Sequence, residues 1–127
     1  MRDDLMRIVA ALLLAAVSVQ FAAAQQVRVL VQSSPLAGFR YYAGEALWQD
    51  MRVGDELALI REPDNAHDAN AVRIEWRGHK LGYLPRAENR AVAIEMDRGA
   101  PVIARIAALT QDRNPWKRLR VDIYVVL

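Results

Sequence analysis

The chain has 127 residues, 17 Lys and Arg against 15 Asp and Glu, no cysteine, and 54% apolar residues. That is one domain's worth of chain with enough apolar content for a packed core. The formal charge of +2 is too mild to mark a polyelectrolyte binder by itself. The missing cysteines exclude disulfide scaffolds, Cys-type zinc sites and thiol nucleophiles.

In chain order, the first feature is the apolar run IVAALLLAAVSV over residues 8–19. It is shorter than the ~20 residues that a helix needs to cross a bilayer. With Ala22-Ala23-Ala24 behind it, the segment reads as a signal peptide cleaved after Ala24. Residues 1–24 are then a leader and residues 25–127 a single domain, periplasmic or secreted. Of the fifteen basic residues left after cleavage, thirteen are Arg, which forks onto phosphates and stacks on rings where Lys does not.

Gln26 to Val31 reads as a strand with Val27, Val29 and Val31 on one face, broken by Ser33-Ser34-Pro35. Phe39 to Tyr42 is a short aromatic strand candidate, closed by Ala43-Gly44. In a strand Tyr41 and Tyr42 point to opposite faces, one to the core and one to solvent. Val53-Gly54-Asp55 turns into a strand over Glu56 to Arg61, and Glu62 to Asn70 is a dense turn former. Ala71 to Trp76, a turn at Arg77-Gly78-His79, and Lys80 to Leu84 make a hairpin. Ala87 to Arg98 is the one good helix, with Ala87, Ala91 and Ile94 spaced for one face, Gly99 as its stop and Pro101 beyond. Val102 to Leu109 and Leu119 to Val126 are the last strands. The expected core joins Leu57, Leu59, Val72, Ile74, Ile106, Ile123 and Val125 to the Ile94 face of the helix. The fold class is mainly β (α+β): a small OB-like or SH3-like barrel of five to six strands with one or two inserted helices.

Enzyme signatures are missing. His67 and His79 sit in separate turns without ligand-spaced neighbours, so no metal is expected. Asp64, Asp68 and Asn70 lack the central Gly and terminal Glu of a calcium loop. There is no phosphate-cradling Gly loop and no nucleophile elbow. The expectation is a binding module, with no catalytic residue, no cofactor and no small-molecule substrate.

Three stretches stand out together: Gly38-Phe39-Arg40-Tyr41-Tyr42; Arg61-Glu62-Pro63-Asp64-Asn65-Ala66-His67-Asp68-Ala69-Asn70-Ala71-Val72; and Leu81-Gly82-Tyr83-Leu84-Pro85-Arg86. Each has an ordinary structural explanation alone, as core aromatics, a self-bonded turn and a solvated charge. In combination, from near Ser34 to the C-terminus, they resemble the HIRAN domain, a module of some fork-remodelling helicases and of stand-alone proteins. The resemblance implies an OB-like barrel with added helices and binding of the 3′-hydroxyl end of single-stranded DNA. By motif position it places the end-binding residues at Arg40, Tyr41, Asn65, Asp68 and Arg86, with a base-contacting aromatic at Trp116. His67 stands where the helicase version has a tyrosine. The implied roles are phosphate contacts from Arg40 and Arg86, stacking by Tyr41, and base or sugar recognition by Asn65. Asp68 would accept a bond from the terminal hydroxyl, since an ionised carboxylate only accepts. The alternative is the same scaffold serving a protein partner or another ligand.

Overall fold

The computed structural model of the protein describes residues 26–127. The expected leader, residues 1–24, and its cleavage point lie outside the described residues. Six strands form one antiparallel sheet: β1 (Arg28–Pro35), β2 (Glu56–Glu62), β3 (Ala71–Trp76), β4 (His79–Tyr83), β5 (Val102–Leu109) and β6 (Leu119–Val126), in the order β1-β6-β5-β2-β3-β4. Among the described residues two α-helices are inserted, α1 (Gly44–Leu47) and α2 (Arg90–Asp97). Single 3-10 turns lie at Phe39–Tyr41, Arg86–Glu88 and Pro115–Lys117. The architecture is the mainly-β class expected.

Strand β2 lies between two neighbours and divides its length between them. Glu56 and Leu57 pair with β5, and Ala58 to Glu62 pair with β3, which curls the sheet. The chain leaving β1 then crosses to the far edge. Leu36 N–H donates to the Leu119 carbonyl on β6. Ala37 and Tyr83 exchange N–H···O bonds of 2.9 and 3.0 Å with β4. This seam joins the two outer strands and closes the sheet into a barrel, which satisfies edge groups that would otherwise stay open. It also requires a glycine. Gly82 has φ +155°, and a Cβ there would run into the Ala37 carbonyl oxygen.

Alternation fills the barrel. Val72, Ile74 and Trp76 of β3 and Leu119, Val121 and Ile123 of β6 are buried on successive inward positions. Of the expected core, Leu57, Val72, Ile74, Ile106 and Ile123 are buried, and Leu59 packs on the cluster partly buried. Val125 is half-buried.

Four local expectations need correction. The first strand runs through Ser33-Ser34 to Pro35, and Val27, Val29 and Val31 are exposed. Leu30 is exposed as well, so both faces of the strand are open up to the bulge between Leu30 and Gln32, beyond which the shifted register against β6 turns Ser34 and Leu36 inward. Phe39 to Tyr41 is a 3-10 turn and not a strand. Its tight helical winding points only Phe39 to the core, and both Tyr41 and Tyr42 are exposed. The helix buries Val92 and Ala93, while Ala87, Ala91 and Ile94 face outward. The hairpin turn is two residues, Arg77 and Gly78, both at positive φ, with His79 already in β4. Gly99 does stop the helix. It lies at φ +81°, its N–H reaches Met96, and Ala100 N–H reaches Glu95, a Schellman motif.

Candidate functional site

The β2–β3 loop is built by its own side chains. Asn65 Oδ1 accepts the His67 N–H and Asp68 Oδ1 accepts the Asn70 N–H, both at 2.9 Å. Such Asx turns are why Asn and Asp occur at this spacing. Arg61 clamps the loop from beneath. Its guanidinium donates to the Ala69 and Ala71 carbonyls and pairs with Asp97 of α2 at 2.9 Å.

Glu62 is the fixed point of the site. It accepts from Asn65 Nδ2 (2.9 Å), Arg73 Nη1 (2.8 Å) and the Tyr83 hydroxyl (3.0 Å). Burial works to raise its pKa, but the bonds from Asn65, Tyr83 and Arg73 together outweigh that and hold the carboxyl below its ordinary value. Asn89, 1% exposed, donates to Asp68 Oδ2 at 2.6 Å. Each Asp68 oxygen thus carries one bond and keeps a second acceptor site.

The predicted residues fall into two adjacent clefts. Asn65, His67, Asp68 and Arg86 line the first, about 290 Å³, together with Tyr42 and Tyr83. Arg40, Tyr41 and Trp116 line the second, about 150 Å³. Ala37 borders the first and Gly38 the second, so the clefts meet at the barrel seam. Tyr41 is 70% and Trp116 52% exposed, and the Arg40 guanidinium stands 5.0 Å from the Tyr41 ring centroid. Neither Arg40 nor Arg86 is in an ion pair among the described residues. Exposed aromatic faces, unpaired guanidiniums and rigid amide and carboxylate acceptors suit an anionic ligand with planar rings and hydroxyls.

Five contributors were missed from sequence: Tyr42, Tyr83, Lys80, Glu62 and Asn89. Tyr42 lines the first cleft in place of Tyr41, packing on Tyr83 with centroids 6.1 Å apart. Lys80 Nζ lies 4.2 and 4.6 Å from the centroids of these two rings. Glu62 and Asn89 act beneath the surface. Tyr42, Tyr83 and Glu62 lay within the three stretches that stand out in the sequence, so the signal was present. Asn89 follows the Pro85-Arg86 stop and carried none.

No group of three or more His, Asp or Glu suited to a metal occurs among the described residues. Nor is any described helix long and apolar enough to cross a membrane.

Comparison with known proteins agrees with the fold. Helicase-like transcription factor of Oryctolagus cuniculus is 36% identical over 63 residues, 49% of this chain and 6% of that protein. The chain spans no more than 10% of the length of the curated relatives it matches. A crystal structure of a protein from Lactobacillus plantarum superposes with TM-score 0.71 at 28% identity, covering 80% of this chain and 98% of that one. The HIRAN domain of human HLTF superposes with TM-score 0.60 at 24% identity, covering 78% of each chain, and so shares the fold. The HIRAN domain family profile matches residues 29–127, the whole barrel from β1 onward, and the chain belongs to that family.

Proposed function

We propose that this domain binds single-stranded DNA and recognises its free 3′-hydroxyl end in the cleft between the β2–β3 loop and Arg86. One observation carries the reading: Asn65, His67, Asp68 and Arg86, distant in sequence, line one open cleft. A carboxylate there repels phosphate but accepts a bond from a sugar hydroxyl. Arg86 and Arg40 meet the backbone phosphates on either side, and Tyr41 and Trp116 offer stacking faces to the next bases. A relative named as a helicase-like transcription factor supports a DNA ligand. In this reading the chain is a binding module and not an enzyme.

The test compares oligonucleotides with free and 3′-phosphorylated ends. Asp68→Ala is expected to weaken the free-ended ligand by about 1.5–3 kcal/mol, the range for charge-assisted bonds. It should leave the phosphorylated ligand no weaker, because a like-charge repulsion goes with it. Arg86→Ala should weaken both. Asp68→Ala also removes the partner of Asn89, so Asp68→Asn is run beside it, since its amide still pairs with Asn89 once that group turns over. If both Asp68 variants stay folded by circular dichroism and bind free ends as wild type does, the hydroxyl-acceptor role is wrong. The protein-partner reading then takes its place.

A further inference from the structure

A third depression, larger than either cleft, lies between α1 and the β5–β6 loop and measures about 490 Å³. That is within the roughly 300–1,000 Å³ typical of ligand sites. Its floor is aromatic: the part-exposed Trp48 meets the buried Phe39 edge to face, with centroids 5.7 Å apart. Gln49 and Gln111 supply amides at the rim, each able to donate and accept.

The charges around it are unequal. Glu45 is held by Arg118 at 3.0 Å, and Asp112 accepts the Asn114 N–H at 2.9 Å. Arg113, exposed on the same rim, is in no ion pair among the described residues. The depression is also continuous with the proposed end site. Phe39 is a wall of both this hollow and the Tyr41–Trp116 cleft, and the β5–β6 loop flanks both.

Resting on the end-recognition reading, we propose that this hollow receives a base of the same DNA strand, on the 5′ side of the nucleotides held in the two clefts. The two carboxylates disfavour a phosphate on the floor, so the base enters and the backbone stays at the rim, where Arg113 meets a phosphate. The part-exposed Trp48 ring supplies a sequence-tolerant stacking surface, backed by the buried Phe39, and the glutamine amides face the base edge. The ligand is then a 3′-terminated single strand several nucleotides long, not a terminal nucleotide alone.

The test measures affinity for a dinucleotide and a hexanucleotide, both with free 3′ ends. The wild type should bind the hexanucleotide more tightly. Arg113→Ala and Gln111→Ala, both on the exposed loop, should lose about three- to tenfold on the hexanucleotide and bind the dinucleotide unchanged. In a Trp116→Phe background the remaining accessible indole is Trp48, since Trp76 is buried. Its fluorescence should be quenched by the hexanucleotide and not by the dinucleotide. Equal wild-type affinity for the two lengths overturns the proposal, as does a hexanucleotide affinity untouched by both rim variants. Should free and blocked ends bind alike while the rim variants still lose hexanucleotide affinity, end recognition falls and the base hollow stands. Absence of any DNA binding removes both.

Discussion

Asp68 and Asn65 are fixed before any ligand arrives, each tied to the backbone of its own loop and to one side chain outside it. Groups held in this way lose little freedom on binding, so more of their bond energy reaches the ligand. The cost has moved inward, to Glu62, where one carboxylate satisfies an amide, a guanidinium and a phenol. Glu62→Gln removes the charge that holds Arg73 and Tyr83. It is expected to cost about 1–2 kcal/mol, kept modest by the partial exposure of Arg73, and to loosen Asn65. Its pH signature is distinctive. The folded-state pKa of Glu62 lies below its ordinary value of 4.5, so the unfolded chain takes up the proton first. The Glu62 contribution is therefore complete above that value and is lost as pH falls through the lower folded one. Asp55 adds to the same acid loss. The Arg52 backbone N–H chiefly lowers its pKa, burial opposes this, and the Trp76 indole N–H assists. Denaturant melts from pH 6 to 3 should show wild-type stability falling as the carboxylates protonate, with a smaller fall in Glu62→Gln.

At the scale of elements, the closing seam and the helix are where local sequence and tertiary packing part company. Gly82 is legible as a glycine in a strand, but its reason is the Ala37 carbonyl packed against it. Gly82→Ala is expected to cost about 1–3 kcal/mol in backbone strain alone. It should also disturb the first cleft, since Ala37 and Tyr83 line it, so stability and DNA affinity should fall together. The helix gives a second contrast. Ile94 looks like the core face by spacing, yet is 37% exposed, while Ile74 is fully buried. Ile74→Ala should cost about 2–5 kcal/mol and Ile94→Ala below about 1 kcal/mol in urea melts. Equal losses would mean that α2 packs on the other face.

Across the whole molecule, charge is nearly balanced, and ion pairs take up Arg61, Arg73, Arg98 and Arg118. The cations left at the clefts are few, chiefly Arg40, Arg86 and Arg113. With two or three phosphates met, the log affinity against log salt should fall with a slope near −1.4 to −2.1, at about 0.7 per contact for single strands. A titration giving a slope steeper than about −4 would reveal a broad basic groove instead.

The sequence by itself determined the strands that alternate cleanly, the hairpin, the helix stop at Gly99 and the self-bonded loop over Asn65 and Asp68. In each of these the cause lies within a few residues: a side-chain period, a positive φ, an Asx turn. It also carried the family motifs that place Asn65, His67, Asp68 and Arg86. Only the tertiary structure decided which tyrosine of the pair enters the first cleft, because a 3-10 turn replaced the expected strand. It alone brought Asn89 beneath Asp68, set the outward face of α2, and turned Val27, Val29 and Val31 away from the core. Those outcomes depend on what packs opposite each residue, through a bulge, a barrel seam or a helix rotation, and opposition across the fold leaves no periodic trace in the chain.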